Sequence, residues 1–156
     1  SIAKMLPPNE LELIENDWTR IAIFMNVFDV HVNRVPMTGS IIKRKYFPGK
    51  FLNASLDKAS EKNERLCLTM NAANGKTIAF VQIAGLVARR ILCKIDINDK
   101  LNAGEQYGII RFGSRVDVWL PNPVTINVTK GQKTVAGETI IADFKTQRQL
   151  GEIRVE

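Results

Sequence analysis

The chain of 156 residues contains a single histidine and two cysteines. One histidine excludes a metal site built from several histidines. Cys67 and Cys93 lie in separate apolar, strand-like segments, and their spacing matches no metal-binding pattern. The sequence therefore predicts no metal cofactor and favours two buried thiols in a reducing compartment, although it leaves a disulfide open.

Long hydrophobic runs and abundant aromatic residues are also lacking. No stretch reaches the roughly 18 apolar residues of a transmembrane helix, and the first residues lack the basic-then-apolar pattern of a signal peptide. Aromatic residues make up 7% of the chain, and Phe24, Phe28 and Phe80 lie in apolar runs. Single-stranded nucleic acids are bound by aromatic residues interleaved with basic ones, so we expect no nucleic-acid partner.

The composition that is present is typical of a folded domain with an anionic partner. A hydrophobic fraction of 45% and a charged fraction of 24% are ordinary for a globular protein. A chain of this length buries about 70% of its unfolded surface as one domain, so residues 1–156 are predicted to form a single domain. The net charge of +6 favours a membrane surface, a phosphate-bearing substrate or nucleic acid, without choosing among them.

Apolar, β-branched segments separated by turn residues predict a mainly β fold. The strand candidates are residues 18–32, 41–46, 66–71, 77–84, 89–97, 116–120, 125–128 and 139–144. Asn74-Gly75 predicts a hairpin turn, and the polar segment 53–65 predicts a short helix or an ordered loop. The repeated Ala-Gly-Glu at 103–105 and 136–138 favours hairpins of a barrel-sandwich hybrid resembling biotinyl and lipoyl carrier domains, although neither turn presents a suitably flanked lysine.

The Gly113-Ser114 bond lies between a turn-rich stretch and the strongly β-forming run 115–121. Gly113 has no side chain to crowd its carbonyl and can adopt backbone angles closed to other residues. The Ser114 hydroxyl could attack that carbonyl, which rearranges the peptide into an ester, and elimination would then convert the serine into a pyruvoyl group. Most Gly-Ser pairs are simple turns, so the neighbouring residues decide the interpretation.

Four segments resemble the phosphatidylserine decarboxylase family, in its short bacterial and archaeal form. They are MNVFDVHVNRVP (25–36), PGKFLNASLDKASEKNER (48–65), VQIAGLVARRI (81–91) and AGEQYGIIRFGSRVDVWLP (103–121). They occur in the family's order and spacing, and the resemblance covers Ile21 to Phe144. Short-form relatives begin with a hydrophobic membrane segment and an Ala-Asp-Gly motif. This chain is expected to lack both, and hence to be a truncated or clipped form.

The resemblance implies pyruvoyl-dependent decarboxylation of phosphatidylserine to phosphatidylethanolamine and CO2 through a Schiff base. Loss of CO2 from an amino acid leaves a carbanion that needs an electron sink, which pyridoxal phosphate supplies in other enzymes. Here the sink would be a pyruvoyl group derived from Ser114, without pyridoxal phosphate. Cleavage at Gly113-Ser114 would yield a β chain (1–113) and an α chain (114–156) that stay associated, and the family favours a homo-oligomer of these αβ units.

The resemblance also assigns His31 as the acid or base of the reaction, since the segment 29–34 matches the family's histidine motif. Longer family members carry a second histidine, associated with self-processing, where Arg34 stands here. The family's processing base is the aspartate of the upstream Ala-Asp-Gly motif. Asp29 and Asp117 are substitutes on sequence proximity alone, so self-cleavage by this chain is expected to be slow or absent unless it occurred before clipping.

A phospholipid substrate needs cations for its phosphate and carboxylate. The matched segments offer five candidates, of which about two are expected to touch ligand: Arg34, Lys50, Arg89, Arg90 and Arg115. The expected location is peripheral, at the cytoplasmic face of an anionic membrane. Two alternatives stay open: a pyruvoyl-dependent decarboxylase of a soluble amino-acid or phosphoserine-like substrate, and a non-catalytic basic β-barrel that binds anionic lipid or nucleic acid.

Overall fold

The computed structural model describes residues 2–13, 17–24, 32–55, 59–85, 91–110, 114–133 and 141–144. Its elements, in chain order, are β1 (Ile2–Met5), a 3-10 turn (Asn9–Leu11), β2 (Trp18–Phe24), β3 (Val32–Arg34), β4 (Gly39–Phe47), α1 (Ala59–Lys62), β5 (Arg65–Ala72), β6 (Thr77–Ile83), β7 (Ile91–Cys93), β8 (Lys100–Leu101), β9 (Gln106–Ile110), β10 (Arg115–Pro121), β11 (Thr125–Ile126) and β12 (Ala142–Asp143). The prediction of a mainly β fold is confirmed, and α1 lies inside the segment where a short helix was predicted.

The strands form one large sheet and two small ones. The large sheet is antiparallel and has the order β1-β2-β10-β6-β5-β4-β8, while β3-β9-β7 and β11-β12 form the small sheets. The described sheets do not close into a barrel. The structure therefore agrees with the prediction of a β-rich domain and shows no closed barrel in the described residues. The strand β10, which follows the Gly-Ser pair, lies in the interior of the large sheet between β2 and β6.

The hairpin between β5 and β6 is confirmed. Asn71 faces Thr77 across the pair, and the turn is closed by the Gly75 amide, which donates to the Ala72 carbonyl at 2.9 Å. Gly75 has a φ of +86°, a left-handed conformation that glycine adopts without steric cost. The local turn chemistry therefore fixes the register of β5 against β6, the strand that pairs with β10.

One prediction about β structure needs correction. The segment before Gly113 was interpreted as turn-rich, which is wrong for Gln106–Ile110, because these residues form β9. This strand pairs with both β3 and β7, and such long-range pairing outweighs the weak strand propensity of Gly108. Of the strand predicted over 18–32, residues 18–24 form β2 and residues 25–31 lie outside the described residues.

The core lies on both faces of the large sheet, because successive strand residues point to opposite sides. One cluster includes Phe80 and Val118, and the other includes Trp18 and Trp119. Phe80 packs edge-on against Tyr107 of β9 with ring centroids 5.1 Å apart, a geometry worth about 1 kcal/mol beyond its burial. This contact ties β9 to the large sheet.

Candidate active site

Ser114 lies at the head of the interior strand β10 and is only 1% exposed. The next residue, Arg115, faces Phe24 of β2 on one side and Ile83 of β6 on the other. A serine in this position is withdrawn from water and flanked by two strands. Gly113, the other half of the predicted cleavage site, lies outside the described residues.

A buried ion pair holds the residue that follows Ser114. The Arg115 guanidinium lies against the Asp117 carboxylate, with Nε 2.8 Å from Oδ1 and Nη2 3.1 Å from Oδ2. Its Nη1 donates to the Ala54 carbonyl at 3.0 Å, and the guanidinium carbon lies 5.7 Å from the centre of the Phe24 ring. These contacts fix Arg115 relative to its own strand, to β2 and to the segment that contains Ala54.

Burial raises the pKa of Asp117 above its ordinary value of 3.8, although Arg115 and Arg20 both lower it. Removing the carboxylate from water therefore costs more than the two cations return, as is common for buried ion pairs. Such a pair fixes geometry better than it stabilises the fold. Asp117 had been a candidate cleavage base, and the structure places its carboxylate on the Arg115 guanidinium.

A second buried arginine lies two strands away on the same sheet face. Arg65 and Arg115 are both opposite Ile83, and the Arg65 Nε donates to Glu10 Oε1 at 2.8 Å. Glu10 Oε2 accepts from Arg65 Nη2 as well. Arg65 and Arg115 thus each contact a carboxylate, whereas a third buried arginine on this face, Arg20 opposite Trp119, has no hydrogen-bond partner for its Nε among the described residues.

Asn63 joins the loop before α1 to the end of β6. It is fully buried, and its Nδ2 donates to the carbonyls of Leu52 and Ala84, both at 2.7 Å, while Oδ1 accepts from the Leu52 amide at 3.0 Å. The sequence reasoning assigned Asn63 no role. Its contacts show that it orders the backbone on the side of the site formed by residues 50–55.

On the opposite face of the sheet, two amide side chains meet. Gln82 Nε2 donates to Asn33 Oδ1 at 2.7 Å and lies 3.4 Å from the Leu92 carbonyl. Gln82 is 1% exposed and Asn33 4%, so this contact between the large sheet and the β3-β9-β7 sheet is closed to water. Sequence reasoning missed both residues, and the signal that could have found them is a polar side chain inside an apolar strand.

The predicted cations divide into buried and exposed ones. Arg115 is buried beside Ser114, as described above. Arg34 is exposed and donates from Nη1 to the Gly104 carbonyl at 2.9 Å. Lys50 is exposed too, and its amide and carbonyl bond to the backbone at Lys62 and Glu64. His31, Arg89 and Arg90 lie outside the described residues, as does Asp29.

An open depression of about 270 Å³ lies along β7 and β9. It is lined by Leu92–Lys94 of the β7 segment and Gln106–Ile109 of β9. Leu92 and Ile109 face each other across these strands and are 47% and 41% exposed. Large apolar side chains exposed as neighbours are typical of a surface that meets another apolar surface.

The thiols differ from each other in burial. Both cysteines are free, with Cys67 buried and Cys93 half-buried, so the prediction of two buried thiols is correct for Cys67 alone. Burial raises the pKa of Cys67 to about 12, which keeps this thiol protonated and unreactive near neutral pH.

Within the described ranges, no helix is long and apolar enough to cross a bilayer.

The fold and the buried serine define a β-rich domain with a site at the head of an interior strand, and comparison with known proteins supplies the family. The family model for phosphatidylserine decarboxylase matches residues 1–142. The chain therefore belongs to the phosphatidylserine decarboxylase family.

Several curated relatives are similar to almost the whole chain. The phosphatidylserine decarboxylase proenzyme of Rickettsia bellii (strain OSU 85-389) is 54% identical over 155 residues, which are 99% of this chain and 67% of the relative. That of Rickettsia africae (strain ESF-5) is 56% identical over 143 residues, covering 92% of this chain and 62% of the relative. The chain thus spans about two thirds of the length of these relatives. No solved structure matches it.

Proposed function

We propose that this chain carries the catalytic site of a phosphatidylserine decarboxylase, which converts phosphatidylserine to phosphatidylethanolamine and CO2. The observation that carries the proposal is Ser114, buried at the head of β10 in a chain of the decarboxylase family. A pyruvoyl group made from this serine would supply a keto carbon for condensation with the substrate amine and a carbonyl that accepts electrons as CO2 leaves.

The residues around Ser114 fit the formation of such a group. Attack of the Ser114 hydroxyl on the Gly113 carbonyl transfers the acyl group from nitrogen to oxygen. Loss of the Ser114 α-proton then expels the Gly113 carboxylate, and water replaces the nitrogen, which leaves as ammonia. Each step needs residue 114 to be held in place, and the ion pair of Arg115 with Asp117 does this one residue further along.

The fold also accounts for how two chains would stay together after cleavage. Strand β10 would belong to the α chain, whereas β2 and β6 on either side of it would belong to the β chain. Backbone pairing runs from Arg115 to Pro121 against β2 and from Arg115 to Trp119 against β6. The new chain end at residue 114 would therefore remain in the interior of the sheet.

His31 is proposed as the group that delivers or removes a proton at the reacting carbon. Asn33, two residues later in sequence, is buried against Gln82. The start of β3 is therefore close to the strand pair formed by β6 and β10. An imidazole is the side chain best suited to proton transfer near neutral pH.

The depression along β7 and β9 is proposed as the side from which lipid approaches. Leu92 and Ile109 offer apolar contact area, and the exposed Lys94 offers a cation for an anionic surface. With the net charge of +6, these residues support peripheral docking on an anionic membrane, as predicted for its cytoplasmic face. We propose that the processed protein forms homo-oligomers of αβ units.

Denaturing intact-mass measurement tests the proposal. We expect the full natural protein to separate into two pieces at Gly113-Ser114, the smaller one carrying a pyruvoyl group in place of serine. The variant Ser114→Ala should give one uncut mass and release no CO2 from phosphatidylserine micelles. Ser40→Ala, at a half-buried serine on β4, three strands away from β10, is the matched control and should behave as the wild type.

A wild-type protein that stays uncut and inactive would overturn the proposal and favour the lipid-binding module. CO2 release from phosphoserine at a rate equal to that from phosphatidylserine would instead favour the soluble-substrate alternative. Borohydride treatment with the amine substrate present should add the substrate mass to the smaller piece alone.

A further inference from the structure

The side-chain amide of Gln82 has a hydrogen-bonded nitrogen and an oxygen without a hydrogen bond among the described residues. Its Nε2 has two acceptors, Asn33 Oδ1 and the Leu92 carbonyl. Its Oε1 is buried and has no hydrogen-bond partner among the residues that the structure describes. Buried acceptors in folded proteins are nearly always paired, so an open one calls for an explanation.

The position of Gln82 links the two strands that carry the proposed chemistry. It lies opposite Val116, which follows Ser114 by two residues. It also bonds to Asn33, which follows His31 by two residues. Directly opposite residues of an antiparallel pair share a face of the sheet, so Gln82 is on the same face as Val116, near the head of β10.

Gly108 makes the close approach at this point. A Cβ at Gly108 would lie 2.7 Å from Gln82 Nε2 and 2.3 Å from the Leu92 carbonyl oxygen. Because Gly108 has no side chain, the Gln82 amide fits against β9. Its hydrogen bonds to Asn33 Oδ1 and the Leu92 carbonyl orient Nε2 toward these acceptors and so determine which way the open Oε1 points.

The chemistry of the headgroup selects what this oxygen can bind. A serine phospholipid presents a phosphate and a carboxylate, which are hydrogen-bond acceptors, and an amino group, which is a donor. An amide oxygen attracts the amino group and is unfavourable beside either anion. The amino group is also the one that must reach residue 114 for the proposed reaction.

We propose that Gln82 is a substrate-binding residue whose Oε1 accepts a hydrogen bond from the amino group of the lipid headgroup. The inference rests on the proposed function, because it assumes an amine substrate at residue 114. Asn33 is then a positioning residue, since it acts by holding the Gln82 amide.

The test uses the processed protein and two short-chain competitors that differ by one amino group. Phosphatidylethanolamine carries the amine, whereas phosphatidylethanol has the same phosphodiester and a hydrogen atom in place of the amino group. In Gln82→Met, we expect the inhibition constant of phosphatidylethanolamine to rise about tenfold, as for loss of one hydrogen bond to a charged donor. The inhibition constant of phosphatidylethanol should stay within a factor of two (about 0.4 kcal/mol).

A Gln82→Met protein that discriminates between the two competitors as well as the wild type would overturn the inference. So would an equal weakening of both competitors, because that result shows a purely structural role. If Gln82→Met does not fold, Gln82→Glu replaces it: the variant keeps an acceptor, so it should still prefer the amine, and loss of the preference would count against the inference.

Failure of the proposed function itself would look different. In that case the wild-type protein would neither be cut at Gly113-Ser114 nor release CO2, before any variant is compared. An active wild type with an unaltered Gln82→Met protein would leave the proposed function standing and remove the role of Gln82.

Discussion

The two faces of the large sheet differ at the end where β10 begins. On one face, Arg115 and Arg65 each contact a carboxylate, and a third buried arginine, Arg20, lies opposite Trp119. On the other face, Gln82 and Asn33 form a neutral contact that leaves the Gln82 Oε1 open. Adjacent positions of one strand thus border a charged environment and a neutral one.

The two faces are therefore suited to different tasks: the charged face to positioning Ser114, and the neutral face to binding the substrate. A buried ion pair with all its directions defined restricts movement, and here it acts on the residue next to Ser114. A buried acceptor without a hydrogen bond is energetically unfavourable until a donor binds to it. Such an acceptor is suited to binding the donor group of a substrate. The contrast predicts that variants on the first face change cleavage and stability, whereas variants on the second change recognition.

The largest effect is expected from Arg115→Met. The substitution leaves Asp117 buried without its main partner, which should lower the free energy of unfolding by about 3 kcal/mol. Urea unfolding measures it best in a Ser114→Ala background, where the chain stays in one piece.

The double variant Arg115→Met with Asp117→Leu separates stability from position. Because burial of the pair gains little on balance, we expect most of the lost stability to return. When Ser114 is kept, chain cleavage in this double variant should be slow, since no ion pair then holds residue 115 and the serine before it. Wild-type cleavage in this double variant would show that the pair does not position residue 114.

A smaller effect is expected from Gly108→Ala on the other face. The new methyl group would collide with the Leu92 carbonyl and Gln82 Nε2, so the free energy of unfolding should fall by about 2 kcal/mol and the amine preference should weaken. Gly104→Ala is the control: its Cβ would meet nothing within 4 Å, and only its φ of +83° costs about 1 kcal/mol. Equal losses of amine preference in the two variants would show that the close packing of Gly108 against Gln82 does not determine this preference.

The smallest effect is on the pH dependence of stability. Lys45 and Lys43 hold the pKa of Glu12 below its ordinary 4.5, so its contribution is present above that pH and is lost on acidification. Burial raises the pKa of Asp117 above 3.8, so its contribution is greatest at low pH and falls as the pH rises through the folded pKa.

Urea unfolding between pH 3 and 7, again in the Ser114→Ala background, tests these opposite signs. Glu12→Gln should reduce the loss of stability at acidic pH. The Arg115→Met, Asp117→Leu variant should gain on its parent as the pH rises. Curves that run parallel to the parent in both cases would refute the assignments.

The sequence predicts the fold best where the decisive contacts are local. The Asn74-Gly75 turn lies between the strands that it joins, and so the β5-β6 hairpin is readable from composition. Strand β9 could not be predicted this way, because it is held by pairing with β3 and β7. Its glycine at 108 lowers strand propensity and is required by the close packing there.

The candidate site divides in the same manner. Ser114 is identified by its neighbours in sequence, and the described structure adds its burial. The partner of Gln82 is 49 residues away, so a polar residue inside an apolar strand can signal that the residue is buried and paired, but not which side chain it contacts. Arg115 was expected among the substrate-binding cations, yet its guanidinium lies against Asp117 and the Ala54 carbonyl, which no linear pattern predicts.

The interior place of β10 has a thermodynamic consequence for a protein cut at residue 113. Melting would then release two separate chains, so the midpoint temperature should rise with protein concentration. Refolding would require the chains to meet, at a second-order rate that becomes very slow in dilute solution. In such a protein folding would have to precede the cut. The cut protein would then stay folded because it unfolds slowly, and not because it refolds readily.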